Sequence, residues 1–400
     1  MSFLTQLDPG SAPRLEKLMQ QHLLGGGVSL KTLMRAPPQP GGPGSVLFDH
    51  FWVEVGGEAL PEGKDETGGN LGTFVLTNSV TQHLRNLARA VLLRRYPILL
   101  QGPTSSGKTS LVAYLAAQTG HTFVRINNHE QTDLQEYLGS YVSDEEGRLV
   151  FREGLLVQAI RKGHWIVLDE LNLAPTEVLE ALNRCWRLSC GLPIGREAAE
   201  HWLLGCGLLL MLLPICAPCR LLDDNRELYV PELQETVKPH PHFMLFATQN
   251  PPGVYAGRKV LSRAFRSRFL ELHVEDIPDN ELSTILERRC AIAPSYAAKM
   301  VVAMRELQRR RSSSNVFAGR HGFITARDLF RWALRGAVGY QALAEDGYAV
   351  LGERLRIGEE RRTVLEVLQK VLGAKVSGPE RAGRRQRWCT WLYTCCLLRG

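Results

Sequence analysis

Cysteine is nearly absent outside two segments: of the nine in this 400-residue chain, residues 1–184 and 221–375 hold one, Cys290. A disulfide-stapled scaffold is excluded. Long apolar runs are missing too. The stretch Trp202 to Ala217 has 16 residues and is broken by two glycines and a proline, whereas about 20 are needed to span a bilayer. Met1 is not followed by the basic-then-apolar pattern of a secretory leader, so a reducing compartment is expected. Aromatics reach only 8%, but apolar residues at 44% and charged residues at 22% are ordinary for a folded chain. They suffice for one large core or two modules. No internal repeat is found. The net charge of +7 permits an anionic partner without requiring one. Residues 185–220 and 376–400 carry most of that charge, and the rest is close to neutral.

Helical periodicity runs through residues 1–35 (Leu4, Leu7, Leu15, Leu18, Met19, Leu23), and a Pro/Gly-rich linker covers Ala36 to Gly44. Short β-type runs are expected at Val46–Val55 and Thr73–Leu76, then a helix over Ser79–Leu93. Tyr96 to Gln101 is a continuous apolar run bounded by Pro and Gly, the pattern of a strand buried on both faces of a parallel sheet. Further strands are predicted at Thr122–Ile126, His164–Leu168 and Phe243–Ala247. Helices are predicted at Ser110–Gln118, in a Glu/Gln-rich segment after the second strand, up to Lys162 and over Pro175–Asn183, with a hairpin at Gly147–Gly154. Such alternation predicts an α/β doubly wound parallel sheet. From about Asp276 the patterns are helical only. The expected division is a helical remnant (1–35), a linker with short β segments (36–75), an α/β domain (76–275), a helical lid subdomain (276–375) and a disordered tail (376–400).

Gly102-Pro103-Thr104-Ser105-Ser106-Gly107-Lys108-Thr109 fits G-x-x-x-x-G-K-[ST], between an apolar strand and the helix opening at Ser110. Glycines let backbone N–H groups curl round phosphates, the helix N-terminus adds its positive dipole, Lys108 supplies a point charge, and Thr109 can ligate Mg²⁺. Sixty residues on, Trp165-Ile166-Val167-Leu168 ends in Asp169-Glu170. Phosphoryl transfer needs one carboxylate at the metal and another at the attacking water, so Asp169 is expected to hold Mg²⁺ and Glu170 to polarise water. The strand ending Thr248-Gln249-Asn250 would bring the Asn250 amide beside those carboxylates. Arg263, Arg266 and Arg268 follow, and one of the three is expected to stabilise transition-state charge in trans.

The phosphate loop, Leu168 to Asn172, Ala247 to Pro251, Ser267-Arg268-Phe269 and Ile324 to Leu329 together resemble AAA+ ATPases of the dynein-related, helix-2-insert group. That resemblance implies the AAA+ P-loop fold with a helical lid, and ATP with Mg²⁺. It also implies Asn250 as first sensor, Arg268 as finger, Arg327 as second sensor, and Leu149–Gly154 as part of the insert hairpin. The likeness is greatest to members that join six modules in one polypeptide, with this chain as a middle module preceded by the end of another. Such a ring implies neighbouring AAA+ modules, precursors of the large ribosomal subunit and their assembly factors as partners, a remodelling chaperone activity, and the nucleolus and nucleoplasm. No membrane partner is implied. The alternatives are a MoxR-like chaperone, a dynein-type motor ring, or a catalytically inert nucleotide-binding fragment.

The family pattern is interrupted at residues 185–220, which hold five cysteines, nine leucines and only five charges. These residues, and the tail from about Val376, are expected to be translated intron sequence. Cys216 and Cys219 lack the second close pair of a zinc site. A leucine-rich insert is an aggregation hazard, so this polypeptide alone is expected to hydrolyse ATP weakly or not at all. Arg384, Arg385 and Arg387 with Trp388 and Trp391 leave direct nucleic-acid contact open.

Overall fold

The computed structural model describes residues 11–23, 44–48, 51–58, 74–92, 96–183, 228–230, 232–251, 259–313 and 324–374. The segment 185–220 and the tail from 376 lie outside them, as does most of the expected remnant 1–35 apart from helix α1 (Ala12–Leu23). The chain forms two compact units. One comprises 1–63, 82–103 and 107–275, and the other 276–400 with the pieces 64–81 and 104–106.

In the first unit, β1 (Ser45–Phe48) and β2 (Phe51–Glu54) pair antiparallel. The β-run expected at Thr73–Leu76 makes no strand over its described part, Phe74–Leu76, in the piece 64–81 of the second unit: burial alternates (Val75 buried, Leu76 exposed), but no neighbouring strand pairs with it among the described residues. Helix α2 (Asn78–Leu92) follows. Next come β3 (Ile98–Gln101), α3 (Lys108–Gln118), β4 (Phe123–Asn127), α4 (Leu134–Leu138), β5 (Gly139–Ser143), β6 (Leu149–Glu153), α5 (Leu155–Lys162), β7 (Trp165–Asp169) and α6 (Thr176–Asn183). Beyond the undescribed segment lie β8 (Leu228–Val230), β9 (Glu235–Val237), β10 (Met244–Gln249), α7 (Arg263–Arg266) and β11 (Leu270–His273).

Five strands form a parallel sheet in the order β11-β3-β10-β7-β4. The doubly wound α/β class expected from the sequence is the class found. Register explains where chemistry can sit. Leu99, Ala247, Leu168 and Ile126 stand side by side across four strands, and all are buried in one apolar cluster. One residue further along come Leu100, Thr248, Asp169 and Asn127. Side chains alternate between faces, so this row points to the opposite face, at the carboxyl ends of the strands, where ligands bind in open α/β sheets.

The β5–β6 hairpin is longer than expected: its first strand begins at Gly139, directly after α4, and is not confined to 147–154. Gly139 has φ +118, and a Cβ there would lie 2.3 Å from the Arg152 carbonyl oxygen. A Cβ on Gly154 would lie 2.4 Å from that of Tyr137. The hairpin can therefore leave the α4–α5 corner only with glycine at both feet.

The second unit contains α8 (Asp279–Cys290), α9 (Pro294–Ser313), α10 (Ala326–Ala333), α11 (Gly339–Leu351) and α12 (Gly358–Leu372). Trp332 is fully buried in its core and its indole N–H donates to the Leu343 carbonyl at 2.8 Å. Helix α10 starts on a capping box: Asp328 accepts from the Thr325 backbone N–H at 2.8 Å, which satisfies a donor the helix cannot. Asp328 is buried and paired with Arg354 at 2.8 Å. Asp328→Ala will remove the cap and strip Arg354 of this partner, destabilising the lid by about 2 kcal/mol. Urea unfolding followed by far-ultraviolet circular dichroism, which the helical lid dominates, measures that loss.

Candidate functional site

The loop between β3 and α3 sits at the carboxyl end of β3, an interior strand of the sheet. Its backbone is unusual where the sequence demands it: Gly107 has φ +83, and Ser105, although not glycine, has φ +67. Such backbone is sparsely populated by L-residues and is retained where function requires it. Helix α3 opens at Lys108, so its first N–H groups face the loop. Lys108 is 7% exposed, and its ammonium donates to Gly102 O at 2.9 Å, Pro103 O at 2.7 Å and Asn250 Oδ1 at 2.9 Å. All three acceptors are neutral. An anionic oxygen would be the stronger partner for a buried ammonium.

A phosphate-bearing ligand fits this cradle on two observations. The buried Ser105 hydroxyl has no hydrogen-bond partner among the described residues, an arrangement native proteins avoid unless a ligand or water completes it. Gly107 turns the loop in a conformation that glycine adopts without strain.

Asp169 ends β7 and is buried. Its Oδ1 accepts from Thr109 Oγ1 at 3.2 Å and from Thr248 Oγ1, its neighbour in the sheet row. Its Oδ2 accepts from the Arg125 guanidinium. Its backbone carbonyl is held by both Asn128 groups, backbone N at 3.0 Å and Nδ2 at 2.9 Å. Hydroxyl and carboxylate oxygens side by side are the donor set of a hard divalent cation, so Thr109 and Asp169 fit Mg²⁺.

Glu170 is the next residue and sits at φ +53, ψ +45, the left-handed region. The Thr248 hydroxyl holds it there by accepting from the Glu170 backbone N–H at 3.0 Å. The strain turns the Glu170 carboxylate toward Asn250, whose Nδ2 lies 3.4 Å from Glu170 Oε1. Asn250 is fixed in turn by Asn172, which donates to its carbonyl at 3.0 Å. Lys108, Asn250 and Glu170 therefore form one chain of contacts, and Thr109, Thr248 and Asp169 a second beside it.

Arg268 is elsewhere. It precedes β11, which runs parallel to β3 from Leu270 opposite Ile98 to His273 opposite Gln101. Arg268 is therefore at the amino edge of the sheet, whereas the loop leaves the carboxyl edge. At about 3.3 Å per residue the four-residue strand alone separates them by roughly 13 Å. Of its two neighbours, Arg266 is committed to Glu271 at 2.9 Å. Arg327 is exposed in the first turn of α10, in the second unit. Pro103, Thr104, Ser106 and Ser110 line or flank the loop as expected from their positions in the sequence.

Sequence reasoning assigned no role to Arg125, Asn128, Tyr137, Asn172 or Thr248. Tyr137 is buried and its hydroxyl donates to Asn128 Oδ1. Burial pushes the phenol's pKa far above its ordinary value, although the bond to Asn128 opposes the shift, so Tyr137 is a neutral donor at every working pH. It locks Asn128, which locks the Asp169 carbonyl. Tyr137→Phe will leave Asn128 Oδ1 without that donor and cost about 1 kcal/mol, read as a shift in the urea midpoint. The two histidines between β9 and β10, His240 and His242, make no hydrogen bond to this network among the described residues. Among the described residues no cluster of three or more His, Cys, Asp or Glu could hold a metal. No helix there is long and apolar enough to cross a membrane.

The chain has recognisable relatives. A family model described as the AAA domain of the dynein-related subfamily matches residues 97–186, and one described as the midasin AAA lid domain matches 281–375. Midasin of Dictyostelium discoideum is 52% identical over 389 residues, covering 94% of this chain. Midasin of Giardia intestinalis is 42% identical over 307 residues, covering 76%. The chain spans 6% of the length of each. An uncharacterised protein of Staphylococcus haemolyticus is 26% identical over 225 residues, covering 55% of this chain and 71% of its own.

Proposed function

We propose that this chain, which belongs to the dynein-related AAA+ ATPases and is similar to one stretch of midasin, binds ATP with Mg²⁺ at the β3–α3 loop and hydrolyses it when a neighbouring module completes the site. The observation that carries the reading is the Lys108–Asn250–Glu170 chain lying beside Thr109 and Asp169.

In this reading the loop N–H groups and the start of α3 take the phosphates, and Lys108 exchanges neutral carbonyls for charged oxygens. Thr109 and Asp169 would hold Mg²⁺, which when bound neutralises charge on the phosphates. Glu170 accepts a proton from the attacking water, and Asn250 holds Glu170 and the water in line. Arg268, at the far edge of the sheet, serves the nucleotide of an adjacent module, while this module's own finger comes from the other side. Arg327 of the lid acts as second sensor.

Beyond the module, we propose that it works in a ring of joined AAA+ modules which remodels precursors of the large ribosomal subunit and releases their assembly factors, in the nucleolus and nucleoplasm. The similarity to midasin over both the AAA and lid regions supports this. Residues 185–220 lie directly after α6, and we propose that they weaken hydrolysis more than binding. A finger in trans is worth about 10³–10⁵ in rate in related systems, so the purified chain should bind ATP yet turn it over slowly; adding the adjacent module should raise turnover, and deleting residues 185–220 should raise it further. Rapid hydrolysis by the isolated monomer would contradict the reading.

A further inference from the structure

Resting on the assignment of Thr109 and Asp169 to Mg²⁺, we propose that Arg125 is a placeholder for that cation. Its guanidinium neutralises Asp169 while the site is unloaded, and it must let go for the metal to bind, so Arg125 sets the Mg²⁺ concentration the site requires.

The geometry follows from register. Arg125 on β4 stands opposite Val167, and Asn127 opposite Asp169. Residues two apart share a face of a strand, so Arg125 and Asp169 are diagonal neighbours on one face, close enough for a long side chain to bridge. Ile126, between Arg125 and Asn127, points into the apolar cluster. The reach of Arg125 toward Asp169 is thus fixed by the sheet and is not a chance surface contact.

Three features favour a placeholder over a permanent support. First, Asp169 is fully engaged: Thr109 and Thr248 donate to Oδ1 and Arg125 to Oδ2. A divalent cation arriving at that carboxylate would meet a positive charge already in contact with it, so the two compete. Second, the exposures differ. The Arg125 side chain is 45% exposed and that of Asp169 9%, and β4 is the last strand of the sheet. The arginine can therefore swing into water, which solvates it well, while the carboxylate stays. Third, the contact is a charge-assisted one through a planar guanidinium, so a divalent cation at Asp169 replaces one positive charge with another. Permanent fixing of Asp169 is already supplied by Asn128 on its carbonyl and Thr248 on its carboxylate.

If only the arginine-free form accepts metal, apparent Mg²⁺ affinity is reduced by the fraction of chains in that form. A half-exposed ion pair is modest in strength, which sets the expected effect at about threefold. The test is to titrate Mg²⁺ into the full chain with a fluorescent, non-hydrolysable ATP analogue, and to measure analogue affinity separately in EDTA. Arg125→Gln should lower the Mg²⁺ midpoint about threefold and leave the EDTA affinity unchanged, which also shows that the variant is folded. Arg125→Lys, which keeps the charge but loses the planar fork, should fall between. If the parent binds the analogue while both variants keep or raise the Mg²⁺ midpoint, the placeholder is wrong, because Arg125 then orients Asp169 for the metal. If the parent binds no analogue with or without Mg²⁺, the nucleotide site itself is wrong, and the placeholder with it.

Discussion

Glu170→Gln will bind ATP as the parent does and lose turnover by about 10²–10⁴, the ordinary contribution of a positioned general base. The substitution keeps shape and one hydrogen-bonding oxygen for Asn250 Nδ2 but cannot take a proton. Glu170 meets the Lys108 cradle through Asn250, whose Nδ2 can still donate to the glutamine oxygen, so binding should be spared. The strained backbone is also preserved, because it depends on the Glu170 N–H and the Thr248 hydroxyl, which the side-chain change does not touch. The comparison is best made with the adjacent module present, where the parent rate is high enough to lose. Equal loss of binding and turnover would mean that Glu170 holds the site together and does not act on water.

Lys108→Ala should do the reverse and weaken ATP binding by about 100-fold. A charge-assisted hydrogen bond in a buried site is worth up to about 3 kcal/mol, and each 1.4 kcal/mol is tenfold. The side chain is buried and has three fixed acceptors, so no solvated charge nearby can replace it. The fold should survive, because the carbonyls of Gly102 and Pro103 and the Asn250 amide are neutral acceptors that water can satisfy in the space vacated. Calorimetric titration with ATP reads the loss of affinity, and the urea midpoint checks the fold.

How much of this was legible in the sequence depended on whether chemistry or pairing fixes a residue. The phosphate loop was readable because phosphate binding demands glycine, lysine and threonine at set spacings between a strand and a helix. The parallel sheet was readable because strands buried on both faces are continuous apolar runs, such as Ile166-Val167-Leu168. Thr248 and Arg125 were not readable, because their roles arise from register between strands 44 and 79 residues away from Asp169 in the chain. No local pattern encodes such a neighbour. The first strand of the insert hairpin was hidden for another reason: α4 runs directly into Gly139, whose positive φ turns the chain where helical periodicity would continue it. The three-residue strands β8 and β9 are too short to show alternation. The run Thr73–Leu76 misled in the opposite direction, since its described residues, Phe74–Leu76, alternate in burial without a partner strand among the described residues.

The central claim is that Lys108, Asp169, Glu170 and Asn250 form one ATP site in which binding and turnover are separable. The most direct test measures ATP affinity and single-turnover hydrolysis on the same preparations of parent, Lys108→Ala and Glu170→Gln, with the adjacent module supplied. The account predicts that Lys108→Ala loses affinity about 100-fold while Glu170→Gln keeps parental affinity and loses the hydrolytic step. Parental affinity in Lys108→Ala, or undiminished hydrolysis in Glu170→Gln, would contradict it.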